Sequence, residues 1–112
     1  MGQTLTEKIF QKHALDIDPG QKIISGDSLW LQPEHILTHD NTSAIIPKFK
    51  KFKKHSIFNR HQPVIALDHN IQDTSDSNLL KYSKIKNFCK KNELNFFPEG
   101  RGIGHQIMIE EG

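Results

Sequence analysis

Residues Val64-Ile65-Ala66-Leu67 form a continuous apolar run that ends at Asp68 and His69. A short run without a polar residue is typical of a strand that is buried on both faces. Such a strand needs a covering layer on each side of its sheet. The sequence therefore predicts an α/β fold with a mostly parallel sheet.

Strand and helix patterns alternate on both sides of this run. Strands are predicted at 35–38, 64–67 and 95–97, and helices from Asn41 or Thr42 to about Lys53 and from Ser77 to about Asn92. Short apolar strands separated by amphipathic helices favour parallel pairing through crossover connections. We expect a three-layer α/β/α arrangement. Pro47 either lies in the first turn of its helix or splits the segment.

The N-terminal third has a different pattern. A capping box between Thr4 and Glu7 predicts a helix from Leu5 to His13. Turn residues and short apolar runs between residues 18 and 31 predict a small hairpin or irregular ribbon, in which Trp30 packs.

The length and composition limit the class of protein. The 112 residues suit a single domain, 1–112, and the 35% hydrophobic content is low for a self-sufficient core. The fold is therefore either marginal alone or supported by another surface. A net charge of +2 gives no global field of the kind that nucleic-acid proteins show. The one cysteine, Cys89, excludes an internal disulfide and any metal site built from this chain's thiolates alone.

Targeting signals are not evident in the sequence. The first ten residues contain Glu7 and Lys8 and have no apolar segment of the kind that secretory signals carry. No stretch approaches the length needed to span a bilayer, so we expect no membrane partner. We expect a cytoplasmic protein. The last residues before Gly112 contain no helix stop, which predicts an interrupted sequence.

Polar side chains follow each predicted strand of the sheet. Asp40 follows the first strand, Asp68 and His69 follow the second, and His105 follows a loop with three glycines. Because the carboxyl ends of parallel strands converge on one crevice, these residues predict a site there. An Asp beside a His can orient the imidazole for proton transfer if a turn brings the two side chains together. A single histidine at a strand end is usually solvated or structural, so the recurrence indicates the site.

The run from Lys48 to His55 interleaves lysines with Phe49 and Phe52. It fits either a nucleic-acid patch or an amphipathic helix whose two phenylalanines enter the core. The small net charge favours the helix, and we expect no nucleic-acid partner. Cys89 lies beside Phe88 on the apolar side of its helix, which predicts a buried, inert thiol.

Five segments can be compared with a known family. They are Met1 to Ile9, His39-Asp40-Asn41-Thr42, Ala66-Leu67-Asp68-His69, Gly102-Ile103-Gly104-His105-Gln106 and the closing Glu111-Gly112. In this order and spacing they resemble the N-terminal part of the aconitase superfamily, in particular the large subunit of 3-isopropylmalate dehydratase and homoaconitate hydratase. The fold implied is a partial first domain of the aconitase type.

The resemblance implies a hydro-lyase that moves water across a double bond of a hydroxy di- or tricarboxylic acid. The substrate would be of the isopropylmalate, homoaconitate or citrate type, and a [4Fe-4S] cluster would act as a Lewis acid on its hydroxyl. Asp68 and His69 would handle the proton of the leaving hydroxyl, and His105 would contact that hydroxyl or the cluster-bound water. The substrate carboxylate pocket would include His39, Asp40 and Thr42.

This sequence also departs from the family. Family members take three cluster-binding cysteines, an Asp-Ser-His segment, arginines and a serine base from later regions, and Cys89 matches no ligand position. We therefore expect no cluster and no hydratase activity from this chain alone. The implied partners are the rest of the hydratase, on the same or a second chain, and a small swivelling subunit. The rival hypothesis is a non-enzymatic module that binds nucleic acid through residues 48–54 or a small carboxylate at the strand ends.

Overall fold

The structure is a computed structural model that describes residues 2–52 and 56–112. The chain divides into two compact units, of which the first ends at Glu34 and the second is His35–Gly112. All the predicted site residues belong to the second unit. The single domain predicted for residues 1–112 stays a prediction. Within the described ranges, no helix is long and apolar enough to cross a membrane.

The first unit contains one helix and a short two-stranded sheet. Helix α1, Leu5–His13, begins with the predicted capping box: Thr4 Oγ1 accepts from the Glu7 amide, and the Glu7 carboxylate accepts from the Thr4 amide. Strand β1, Ala14–Leu15, pairs antiparallel with β2, Trp30–Leu31. The expectation that Trp30 packs is wrong, because this side chain is 79% exposed.

The second unit is built on a parallel sheet of three strands. These are β3, Ile36–Thr38, β4, Pro63–Ala66, and β5, Asn95–Phe97, in the order β3-β4-β5. Helices α2, Thr42–Phe49, and α3, Asp76–Lys91, connect successive strands, and α4, Gly104–Glu110, follows the last. The predicted α/β class and parallel pairing are confirmed.

Alternate residues of the central strand face opposite layers. Ile65 and Leu67 belong to a core cluster with residues from α2 and α3, among them Ile46 and Ile85. On the other face, the Cβ of Ala66 lies against Gly104 at the start of α4. The strand is therefore buried on both sides, as its apolar run predicts.

Helix α2 is shorter than the pattern indicates. It ends at Phe49 instead of near Lys53, and Pro47 lies inside it as the sixth of eight residues. A proline there removes the hydrogen bond to the Ser43 carbonyl, but the helix continues for two residues beyond Pro47. Phe52 lies beyond the end of α2 and is 67% exposed, outside the core. Residues 53–55, which include the end of the predicted helix and of the lysine run, lie outside the described residues.

Helix α3 agrees closely with its prediction. Ser75 caps its N-terminus by accepting from the Asn78 amide. Its buried stripe consists of Asn78, Tyr82, Ile85 and Cys89. Leu79 and Leu80 of the same helix are more than half exposed because they flank that stripe.

Cys89 provides a direct test of this packing. The residue is 2% exposed, and burial raises the pKa of its thiol to about 11. We expect iodoacetamide to alkylate Cys89 in the native chain far more slowly than in urea, because the thiolate is the reactive form. Mass spectrometry over a time course measures both rates. Equal rates in the two conditions would contradict the buried position.

Candidate active site

The strand ends bring four predicted site residues together. His39 and Asp40 follow β3, and Asp68 and His69 follow the neighbouring parallel strand β4. One potential ligand atom from each of the four residues lies within 4.8 Å of the others. The convergence expected from parallel strands is therefore present at this edge of the sheet.

Asp68 and His69 form a hydrogen-bonded pair between adjacent residues. Asp68 Oδ1 contacts His69 Nδ1, and Asp68 Oδ2 accepts from the Gly104 amide at 2.6 Å. The Asp68 side chain is 7% exposed, whereas that of His69 is 56% exposed. A buried carboxylate thus holds an accessible imidazole, and Nε2 is the ring nitrogen left to exchange a proton with a ligand.

Asp40 supports the turn that carries this pair. Its Oδ1 accepts from the amides of Asp68 at 3.0 Å and His69 at 3.2 Å. Its Oδ2 accepts from the Asn70 amide at 2.9 Å and from the Tyr82 hydroxyl at 2.5 Å. Four donors match the capacity of one carboxylate, so this side chain is fully engaged within the protein.

The ionisation of Asp40 follows from these contacts. Burial acts to raise the pKa, but the Tyr82 hydroxyl and the three amides outweigh burial and hold the pKa of Asp40 well below its ordinary value of 3.8. Asp40 is therefore an anion across the physiological range. Its negative charge is what binds the turn at residues 68–70.

His39 completes the accessible side of the cluster. Its ring stacks on that of His69, with centroids 4.0 Å apart and an interplanar angle of 19°. The His39 Nδ1 atom is buried and has no hydrogen-bond partner among the described residues. This nitrogen is therefore a polar atom of the site that no described residue engages, in addition to the accessible Nε2 of His69.

Thr42 and His105 lie at the margin of the cluster. Thr42 is 2% exposed, and its hydroxyl donates to the His39 carbonyl at 2.5 Å and contacts Thr38 Oγ1 at 2.7 Å. His105 is exposed in the first turn of α4, directly after the Gly104 amide that contacts Asp68. Thr42 thus shapes the backbone of His39, while His105 lies on the helix anchored to Asp68. Their predicted contacts with substrate stay predictions.

Two residues important to this geometry were missed in the sequence. Tyr82 binds Asp40 from α3, and Gly104 donates to Asp68 from α4. Spacing could have revealed Tyr82, because it shares a helical stripe with Ile85 and Cys89. Nothing in the sequence assigns a partner to either residue.

The pKa of Asp40 predicts how stability depends on pH. A lowered pKa in the folded state means that the folded chain binds fewer protons, so this contribution is complete above about pH 4. It is then lost as the pH falls toward the pKa of folded Asp40. We expect the urea midpoint to fall between pH 5 and pH 2, with a shallower fall in Asp40→Asn. A residual slope is expected in Asp40→Asn, because Glu7, Asp73 and Glu99 also have lowered pKa values in the folded chain. Equal slopes in the two proteins would show that Asp40 does not contribute to the pH dependence.

Gly104 has little room for a side chain. A Cβ on Gly104 would lie 3.0 Å from Asp68 Oδ2 and 3.3 Å from the Cβ of Ala66. We expect Gly104→Ala to destabilise the chain by about 1 kcal/mol and to shift the amide resonances of Asp68 and His69. Gly2→Ala is the control, since nothing lies within 4 Å of that position. Unchanged resonances at residues 68 and 69 would show that the contact is not tight.

Similar proteins are found among fungal enzymes. The chain is 49% identical over 110 residues to a protein named homoaconitase, mitochondrial, from Chaetomium globosum, and 49% identical over 110 residues to the protein of that name from Cryptococcus neoformans. It is 50% identical over 108 residues to the one from Mycosarcoma maydis. These matches cover 98%, 98% and 96% of this chain but 14%, 15% and 15% of the relatives. No family model matches the chain.

Two consequences follow from these relatives. The chain spans about 15% of the length of the proteins it matches, so most of each relative lies outside the aligned segment. The expectation of a cytoplasmic location is wrong, because the relatives are named as mitochondrial proteins. The lack of a recognisable N-terminal signal was an insufficient basis for that expectation.

Proposed function

The chain belongs to the aconitase superfamily, and on this premise we propose that it supplies the proton-handling edge of a hydro-lyase active site. The substrate would be a hydroxy di- or tricarboxylic acid of the homoaconitate type. One observation carries the proposal: the buried Asp68 carboxylate holds the accessible imidazole of His69 at the carboxyl edge of a parallel sheet.

The residues of the cluster have distinct roles in this proposal. A hydroxyl leaves a carbon as water only when it receives a proton, and an imidazole can supply that proton near neutral pH. His69 Nε2 donates the proton during dehydration and takes it back during hydration. Asp68 keeps Nδ1 protonated and stabilises the imidazolium. His105 would be the second group to contact the hydroxyl.

The substrate carboxylate would lie beside His39. Its Nδ1 is buried without a partner, so a bound carboxylate would accept a hydrogen bond from the protonated form of this nitrogen. Asp40 and Thr42 would not contact the substrate directly, since both side chains are hydrogen-bonded to the backbone of the cluster. We therefore propose indirect roles for these two residues in the pocket.

The family implies an iron-sulfur cluster in the full-length protein. The residues of this chain do not fit one, because such clusters are held by several cysteine thiolates. The one cysteine, Cys89, lies in the core, and burial raises its pKa to about 11. We propose that the cluster ligands lie in segments outside this chain, and that the chain alone does not catalyse hydration.

An exposed apolar groove supports the proposal of a completing partner. The groove lies along β3 and includes Ile36, Ile45 and Phe58, which are 46%, 39% and 93% exposed. Apolar surface of this kind favours a covering surface over water. We propose that the rest of the hydratase, on the same or a second chain, provides that cover, and that a small swivelling subunit completes the enzyme.

A chimeric enzyme tests the proposed function. The homoaconitase of Kluyveromyces lactis is 48% identical to this chain over 111 residues, which make up 16% of that relative. We would replace its matching segment with this chain and measure homoaconitate hydration by the loss of absorbance of the double bond. The expected result is activity within about tenfold of the parent enzyme, because the chain would supply the Asp68–His69 pair at a strand end of the replaced segment.

Two further measurements make the result decisive. Iron content and circular dichroism report whether the chimera is folded and loaded. A folded, iron-loaded chimera without hydration activity would overturn the proposal. If the chimera precipitates, the chain is instead added in trans to the relative lacking this segment, and restored activity is the expected outcome. Salt-sensitive retention on nucleic acid together with an inactive chimera would favour the binding-module hypothesis.

A further inference from the structure

The turn at residues 68–70 is held by a single buried carboxylate. Asp40 is 3% exposed and accepts hydrogen bonds from the amides of Asp68, His69 and Asn70. Three successive amides are thus fixed by one side chain from a different strand end. The direction in which Asp68 and His69 point depends on the orientation of that carboxylate.

Tyr82 is the side-chain donor that orients Asp40. Its hydroxyl donates to Asp40 Oδ2 at 2.5 Å, and the residue is 3% exposed on α3. The same helix also holds the far side of the turn, because Asn78 Nδ2 donates to the Asn70 carbonyl at 3.1 Å and to the Asp73 carbonyl at 2.8 Å. Helix α3 is therefore connected to the turn on both sides.

We propose that Tyr82 is a positioning residue: its hydroxyl sets the rotation of the Asp40 carboxylate, and this carboxylate holds the Asp68–His69 pair in its reactive geometry. The catalytic part of this inference rests on the function proposed above. The contact itself does not, because the hydrogen bonds from Tyr82 to Asp40 and from the turn amides to Asp40 form a continuous path.

The expected effect follows from the geometry of a carboxylate. Rotation about the bond that joins a carboxylate to its chain is soft, so its orientation is set by its donors. Tyr82→Phe removes one of the two donors to Oδ2 and leaves the ring in the core. The turn then gains freedom, and the imidazole spends less time in line with substrate. A small misplacement of a catalytic group lowers turnover on the order of tenfold to a hundredfold.

The test combines kinetics and spectroscopy on Tyr82→Phe. In the chimera, we expect kcat to fall about tenfold or more while KM stays within about twofold, because the groups that would touch substrate are unchanged. In the 112-residue chain, we expect the Nδ1 proton resonance of His69 to weaken or shift, since its bond to Asp68 is less well held. This second readout needs no enzyme activity.

Ile85→Val is the matched control. Ile85 is fully buried on the same stripe of α3, and its loss of one methylene lowers stability without touching Asp40. If Tyr82 has only a structural role, the two variants will lose kcat to the same extent and leave the His69 resonance unchanged, and the inference is overturned. A Tyr82→Phe chimera with full kcat also overturns it.

The outcomes separate this inference from the proposed function. An inactive parent chimera would overturn the proposed function. The His69 resonance in Tyr82→Phe would still decide whether Tyr82 positions the Asp68–His69 pair. An active parent chimera whose kcat does not change with Tyr82→Phe would overturn only the positioning role of Tyr82. A fall in kcat together with a changed resonance, both absent in Ile85→Val, supports both.

Discussion

Replacing His69 by glutamine in the chimera is expected to lower kcat about a hundredfold to ten-thousandfold, the usual contribution of a general acid or base. Glutamine keeps a hydrogen-bonding side chain of similar length but cannot carry a proton to the leaving hydroxyl. The His69 imidazole is 56% exposed beside the buried Asp68 carboxylate, so a substrate can reach it. Steady-state hydration of homoaconitate measures the change.

Asp68→Asn is a second test of the proton-transfer role, and His61→Gln is its control. Asp68→Asn keeps the shape of the side chain but not the charge that stabilises an imidazolium, so we expect a loss comparable to that of His69→Gln. His61 is an exposed histidine of the same unit, outside the cluster, and His61→Gln should retain full activity. Equal activity of His69→Gln and His61→Gln would contradict the proton-transfer role.

Asp40→Ala is expected to destabilise the 112-residue chain by about 3 kcal/mol, because three amides and the Tyr82 hydroxyl lose their common acceptor. With the denaturant dependence usual for small domains, this corresponds to a urea midpoint lowered by about 1–3 M. Urea unfolding followed by circular dichroism measures the shift. Burial of Asp40 at 3% exposure leaves little water to replace the lost contacts.

Two substitutions control this prediction. Asp18→Ala removes an exposed carboxylate of the first unit and should change stability by less than about 0.5 kcal/mol. The stability of Asp40→Asn should lie between those of Asp40→Ala and Asp18→Ala. Its amide oxygen still accepts hydrogen bonds from the donors on one side, but its amide nitrogen cannot accept from the donors on the other side. An Asp40→Ala midpoint equal to that of Asp18→Ala would show that the turn does not depend on this carboxylate.

The sequence was a good guide to the elements of the second unit. The apolar run at residues 64–67 and the stripe of α3 agree with the observed β4 and with the buried face of that helix. It was a poorer guide where local pattern and tertiary contact differ. Trp30 was assigned to a packed position from its apolar character and Phe52 from its place in a predicted amphipathic helix, yet both are largely exposed.

The candidate site shows the same division. Asp40, Asp68, His69 and His105 were found because each follows a predicted strand or a glycine-containing loop, which is a local property of the chain. The direction of each side chain was not predictable, because it depends on residues far away in sequence. Asp40 and Tyr82 are 42 positions apart, and Gly104 and Asp68 are 36 positions apart.

The sequence by itself determined the α/β class, the parallel pairing of the strands and the edge of the sheet where polar residues gather. Periodicity and turn residues act over a few positions, so they can be read directly from the chain. Only the tertiary structure decided that Asp40 is a buried support and that Asp68 and His69 form a pair. Adjacent side chains on an extended strand point apart. The turn that brings these two together is held by a carboxylate from another strand end and a hydroxyl from a helix.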